Sequence, residues 1–321
     1  MLVAPLFSET QGHFLAFCFT VTYVGSLYLS KNARLSFVAW STHVHEGTTR
    51  QRQLNERWRD DADVIRARLL AVSLATIASC FWIFQTLWPL YGVSGMFLML
   101  EPLHVTFFRL GFIFSHPIKA HLVTPLLFIG PFYSRYLYQI LPFQRYWNTE
   151  STINKVVSLS GLRNYLVAPY TEEVVFRACI LCIYHLSGIS RLRMIILAPL
   201  WFSLAHFHHA WDLYNRCGRT WVAVKHAAMA ISFQLVYTSF FGSHCAYLFL
   251  RTGSIFPAIT SHIFCNFMGV PHLPLELVVF PEQRKAIFGT YALGLLAYIF
   301  AMIQWTSSSD SLYWRPPRSL L

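Results

Sequence analysis

Residues 69–93 read LLAVSLATIASCFWIFQTLWPLYGV. The run begins directly after Arg68, and the next charged side chain is Glu101. A hydrocarbon core of about 30 Å needs about 20 mostly apolar residues in a helix, so this segment is long enough to cross a bilayer. The rest of the chain has the same character. Hydrophobic residues make up 55% of the 321 and charged residues 12%, against roughly 25% charged in an ordinary soluble domain. Phe alone contributes 28 residues, and the mean hydropathy is +0.44. These proportions exclude a disordered chain, a coiled coil and a disulfide-built secreted module. A single soluble globule could not cover this much apolar surface. The fold class they predict is all-α: a polytopic integral membrane protein with about eight transmembrane helices.

The eight windows, working outward from 69–93, are 12–29, 69–93, 120–137, 164–185, 194–211, 222–250, 254–270 and 286–305. The sixth is too long for one perpendicular crossing, so it should tilt or extend beyond the bilayer. Residues 95–111 are apolar but hold Glu101 and Arg109, which suits an interfacial or re-entrant piece. Residues 31–68 form the main polar loop. Their second half and its continuation, 51–70, have helical periodicity with opposite charges interleaved, and are expected to form a solvated juxtamembrane helix. The chain is expected to be one domain over 1–321, with its N-terminal spans and polar loop in 1–120 and a catalytic core at about 163–271.

The formal net charge is +11. Most Lys and Arg fall in the loops after the first, third, fifth and seventh windows, which places those loops in the cytosol and both termini across the membrane. The positive charge suits anionic lipid; no soluble basic stripe with interleaved aromatics points to nucleic acid. The seven Cys are scattered, as expected of reduced packing residues. Cys179 and Cys182 in C-x-x-C fit the same reading.

Charges inside a span are costly and are functional candidates by default. The fourth window contains Thr171-Glu172-Glu173-Val174-Val175-Phe176-Arg177. Glu173 and Arg177 are four apart on one helical face and can neutralise each other. Glu172 points about 100° away, which leaves it as the acid for chemistry. The fifth window ends in Phe202-Ser203-Leu204-Ala205-His206-Phe207-His208-His209, and the seventh holds His262-Ile263-Phe264-Cys265-Asn266. His262 and Asn266 project into the same space. Counting at about 1.5 Å per residue puts Glu172 and His262 about 12 Å, His206 about 8 Å and Asn266 about 6 Å from the cytosolic side. His244, deep in the sixth window, is a lesser candidate.

A buried carboxylate with a raised pKa is a good general base for water. A neighbouring His can orient that water, and Asn and His donors can stabilise an oxyanion on a carbonyl. No Ser or Cys stands in a nucleophile's context, so water activated by Glu172 and attacking an amide fits best. Two alternatives remain. Glu172, His206 and His262 are plausible zinc ligands, although H-E-x-x-H is absent. A proton-coupled carrier or an idle membrane scaffold is the non-enzymatic reading. No cofactor is expected.

EEVVFR at 172–177, FSLAH at 202–206 and HIFCN at 262–266 match E-E-x-x-x-R, F-x-x-x-H and H-x-x-x-N of the CAAX protease and bacteriocin-processing superfamily. The longer stretches RNYLVAPYTEEVVFRA (163–178), HFHH (206–209), FQLVYTSFFG (233–242) and RTGSIFPAITSHIFCNFMG (251–269) resemble its eukaryotic branch, the Ras-converting or type II CAAX prenyl proteases. The resemblance spans about a third of the chain. It implies a glutamate-type intramembrane endopeptidase with Glu172 as base, His206 positioning the water, and His262 and Asn266 forming the oxyanion hole. Glu173 and Arg177 would support the site. The implied substrates are farnesylated or geranylgeranylated CAAX proteins, such as Ras-like small GTPases, from which the last three residues are removed. The implied location is the endoplasmic reticulum membrane, with the active site facing the cytosol.

Overall fold

A computed structural model describes residues 5–38, 49–91, 100–114, 117–309 and 311–314. Among them every regular element is a helix; the lone strand-like pairing is an isolated bridge between Ser36 and Arg57. Among the described residues three helices are long and apolar enough to cross a membrane: Glu9–Leu29, Ala62–Tyr91 and Pro281–Gln304. The first opens on a capping box, in which Gln11 N donates to Ser8 Oγ (3.2 Å) and Ser8 N to Gln11 Oε1 (2.8 Å). Such reciprocal bonds satisfy two donors that a helix start otherwise leaves orphaned. This helix buries only a stripe, including Ala16, Phe19, Tyr23 and Leu27, and leaves Phe14, Phe17 and Val21 exposed. That distribution suits a surface solvated by lipid rather than water.

The third, fourth and fifth windows depart from single regular helices. The 120–137 window is not one helix. It breaks into a 3-10 turn, Ile118–Leu122, and two short helices, Val123–Leu127 and Ile129–Leu137. Pro125 and Pro131 explain the breaks, because a proline ring clashes with the carbonyl four residues back and removes a hydrogen bond. The 164–185 window is helical but runs through two π-helical turns, Arg163–Val167 and Val174–Cys179, on either side of Ala168–Glu173. In the fifth window, helix Arg191–Ala205 gives way to a 3-10 turn, His206–His208, and then to helix His209–Arg216. The sixth is one continuous helix, Trp221–Thr252, of 32 residues. The seventh is helix Phe256–Met268, stopped by Gly269 at φ 72°. The eighth corresponds to Arg284–Gln304. The expected piece at 95–111 contains helix Leu100–Arg109, while 92–99 lie outside the described residues.

The expected helix at 51–70 is corrected in its first half: helix begins only at Ala62. Glu56 is buried, and its carboxylate accepts bonds from Val38 N (2.9 Å), Gln53 N (3.0 Å), Trp58 Nε1 (3.1 Å) and Arg50 Nη1 (2.8 Å). The Arg50 guanidinium beside it, with these backbone donors, holds the Glu56 carboxyl at about 2, against an ordinary 4.5. Arg50 also bonds the Asn215 carbonyl (3.0 Å) and stacks on Trp58. Charge that periodicity assigns to a solvated face is instead used to close a loop.

The chain divides into two compact units. One comprises Met1–Leu110 with Tyr170–Tyr247, the other Gly111–Pro169 with Leu248–Leu321. In the first, Val174 to Tyr184 form the most deeply buried run. Glu9–Leu29 lies against it: His13 Nδ1 meets Tyr184 Oη at 2.9 Å and Tyr23 Oη meets Thr171 Oγ1 at 2.9 Å. Trp201 Nε1 donates to the same Tyr184 oxygen (2.6 Å). In the second unit, Gly130 lets Tyr291 lie on the Ile129–Leu137 helix, where any Cβ would collide with the ring. Buried Glu276 accepts from Ser134 Oγ (2.5 Å) and Tyr291 Oη (2.9 Å).

Candidate active site

The first unit carries Glu172, Glu173, Arg177 and His206. Glu173 and Arg177 form an ion pair, Nε to Oε2 at 3.1 Å, with side chains 0% and 1% exposed. The guanidinium also lies over the Phe202 ring at 4.1 Å and faces Phe241 at 5.9 Å. A planar cation on an aromatic face in a dry interior gains more than it would in water. Three elements therefore converge on one charge. Gly242 makes the approach possible: a Cβ there would stand 2.7 Å from Pro199 Cβ and 3.3 Å from Arg177 Nη2. Ser203 adds polar glue, with Thr238 Oγ1 at 2.9 Å and Ser239 Oγ at 2.8 Å.

Phe202 links this brace to His206. Its ring packs on the imidazole, centroids 4.6 Å apart, and its carbonyl accepts from His206 Nδ1 at 2.8 Å. With Nδ1 as donor, the lone pair lies on Nε2, the atom able to accept a proton or orient a water. The 3-10 turn eclipses residues three apart, and the His206 and His209 rings sit 5.7 Å apart. The His208 ring lies 4.1 Å from that of His209. Arg59 Nη1 reaches His209 Nδ1 at 3.4 Å.

Glu172 is half-buried, where its neighbour Glu173 is fully buried. It follows Thr171, whose hydroxyl bonds Tyr23, and Tyr23 itself lies within electrostatic reach of Glu172. The π-helical turns at 163–167 and 174–179 bracket this acid pair; such turns gather at functional sites because they re-aim side chains. His244 stands beside Phe241, ring centroids 6.4 Å apart.

The second unit carries His262 and Asn266 on helix Phe256–Met268. His262 is buried and Asn266 exposed. The Asn266 carboxamide donates through Nδ2 to the Asn164 carbonyl at 2.8 Å, which fixes its rotamer. One turn earlier the helix is pinned by Ser261 to Thr124 through their hydroxyls, and Thr260 Oγ1 meets His121 Nδ1 at 2.7 Å. Among the described residues no group of three or more His, Cys, Asp or Glu side chains is placed to hold a metal.

Several of these participants carry no signal at the level of residue type. Tyr23 is one tyrosine among 16, and Asn164 acts through its backbone. Phe202, Phe241 and Gly242 fall inside stretches already noted for their likeness to known proteases, but their work around Arg177 is a tertiary property.

The Type II CAAX prenyl endopeptidase Rce1-like family matches over residues 154–268, a range that contains every residue of the candidate site. A probable CAAX prenyl protease 2 of Schizosaccharomyces pombe is 30% identical over 286 residues, 89% of this chain and 90% of the relative. The chain belongs to the type II CAAX prenyl endopeptidase family. The human CAAX prenyl protease 2 is 27% identical over 88% of this chain and 77% of its own length. That of Arabidopsis thaliana is 31% identical over 54% of this chain and 51% of its own. No solved structure matches the chain. As a CAAX prenyl endopeptidase it is a membrane protease, and the apolar helices agree with that character.

Proposed function

We propose that this endopeptidase removes the C-terminal tripeptide from prenylated CAAX proteins by attack of a glutamate-activated water. Glu172 takes a proton from the water as its oxygen adds to the carbonyl carbon of the prenylated cysteine. His206, through Nε2, orients that water. His262 and Asn266 donate to the oxyanion that forms, where fixed dipoles act most strongly. Collapse breaks the C–N bond; the proton passes from Glu172 to the leaving amine, and the new carboxylate stays on the lipidated cysteine. The observation that supports this assignment above the others is the Glu173–Arg177 pair. The buried arginine's charge is committed to Glu173 and two aromatic rings, so the adjacent carboxylate is not the one neutralising it.

The substrates are farnesylated or geranylgeranylated CAAX proteins, Ras-like small GTPases among them. The protein acts in the endoplasmic reticulum membrane with about eight spans and its site toward the cytosol. Residues 1–321 work as one protease domain whose catalytic core is about 163–271. The test is purified protein in detergent with a farnesylated CAAX peptide. Tripeptide release is expected, and Glu172→Gln should slow it by at least about 100-fold, the low end for loss of a general base. Release unchanged in Glu172→Gln would overturn the mechanism. Loss of activity in o-phenanthroline, restored by zinc, would favour metal-based hydrolysis instead.

A further inference from the structure

The second unit holds an apolar groove of about 730 Å³ that the proposed chemistry does not use. Its floor is the helix of His262 and Asn266, through Ile263, Phe264 and Phe267; its wall includes Val156, Leu162 and Tyr165. We propose that this groove receives the isoprenoid chain of the substrate; the assignment rests on the proteolytic reading above.

The wall is a concavity built from two short helices and the turns that join them. Helix Thr149–Val157 buries none of its residues and is held away from the core. A tight turn joins it to Leu159–Leu162, where Ser158 Oγ accepts from Gly161 N at 3.0 Å. Gly161 is required there, because a Cβ would strike the Lys155 and Val156 carbonyl oxygens. The π-helical turn at 163–167 follows and presents Tyr165 and Leu166 to the groove. At the rim, Lys155 Nζ lies over Tyr165 (5.8 Å) and Phe267 (5.6 Å), so the cation covers aromatic faces without entering the apolar space. Thr260 commits its hydroxyl to His121 (2.7 Å) and to the Pro257 carbonyl (3.1 Å).

Position selects the occupant. The attacked carbonyl belongs to the prenylated cysteine itself. Only Cα, Cβ and sulfur separate it from the first isoprenoid carbon, so the lipid must lie beside the oxyanion donors. At about 100° per residue, the Ile263–Phe267 face lies roughly a third of a turn from the His262–Asn266 face on the same helix. Asn266 is moreover bonded to Asn164, the residue that precedes Tyr165 in the wall. Groove and oxyanion donor are thus one mechanical piece. The volume falls within the range of about 300–1,000 Å³ usual for small-molecule sites.

The test uses the full chain in detergent and a CAAX peptide whose farnesyl group carries a benzophenone. Illuminated with Glu172→Gln protein, it should label 156–166 or 260–267, and plain farnesylated peptide should compete. Independently, Leu166→Trp should narrow the groove and raise KM about 10-fold or more, the scale of a change in apolar pocket fit. The loss should be greater for geranylgeranylated than for farnesylated peptide, with kcat little changed. Labelling elsewhere, or labelling of these segments by a photoactivatable phosphatidylcholine that farnesylated peptide does not displace, would overturn the groove assignment. So would unchanged prenyl preference in Leu166→Trp. If those results came with Glu172→Gln inactive, the groove alone would be wrong; if Glu172→Gln hydrolysed normally, the proteolytic mechanism would be.

Discussion

Replacing Glu173 with glutamine is the sharpest separation of structural from chemical acid. The carboxylate is fully buried, and the arginine 3.1 Å away is 1% exposed. Glutamine keeps the shape but leaves a guanidinium in a dry interior without its counter-charge. Breaking such a pair by removing one partner costs about 3–5 kcal/mol. Stacking on Phe202 and Phe241, about 2 kcal/mol for a desolvated cation–π contact, is already present in the parent and does not offset this. The net loss should therefore stay near the quoted range. Glu172→Gln, at a half-buried position, should leave stability nearly unchanged. Unfolding in detergent followed by intrinsic fluorescence measures the first quantity, and tripeptide release from a farnesylated peptide the second. The expected pattern is a destabilised Glu173→Gln and an inactive but stable Glu172→Gln. The double change Glu173→Leu/Arg177→Met should recover much of the stability, because it removes both charges. Equal melting of Glu173→Gln and the parent would refute the reasoning outright.

Asn266→Ala should lower kcat on the order of 100-fold, about 3 kcal/mol, with little change in KM, since an oxyanion donor acts in the transition state; near-parental kcat would remove it from the mechanism. Gly242→Leu should destabilise by about 1–3 kcal/mol through overpacking against Pro199 and Arg177, measured by the same unfolding assay. Glu56 supplies a pH dependence. Its carboxyl is held at about 2 when folded against 4.5 when not, so its contribution is complete above 4.5 and fades as pH falls from there toward 2. Hydrogen exchange across 49–61 should accelerate over that acid window, and Glu56→Gln should show the fast exchange already at neutral pH.

The sequence by itself determined a helical membrane protein, because a deficit of charge and long apolar runs leave no other solvent for the chain. It also singled out the candidate side chains for chemistry. Acids, imidazoles and an amide inside spans are costly enough to be informative one residue at a time, and the i,i+4 spacing of Glu173 and Arg177 already specifies their pairing. Local periodicity failed where tertiary contacts outweighed it. Residues 51–58 have a helical pattern, yet Glu56 gains more from Arg50 and three N–H donors than a solvated helix would return. The window at 120–137 is apolar enough to span, yet its prolines break it, since hydropathy averages over a backbone clash. Only the tertiary structure decided that Arg177 is braced by Phe202 and Phe241, that His206 takes its tautomer from the Phe202 carbonyl, and that an apolar groove runs between residues 156–166 and the helix that carries Asn266. Each joins residues distant in sequence, and such contacts depend on packing distances that no pattern along one chain encodes.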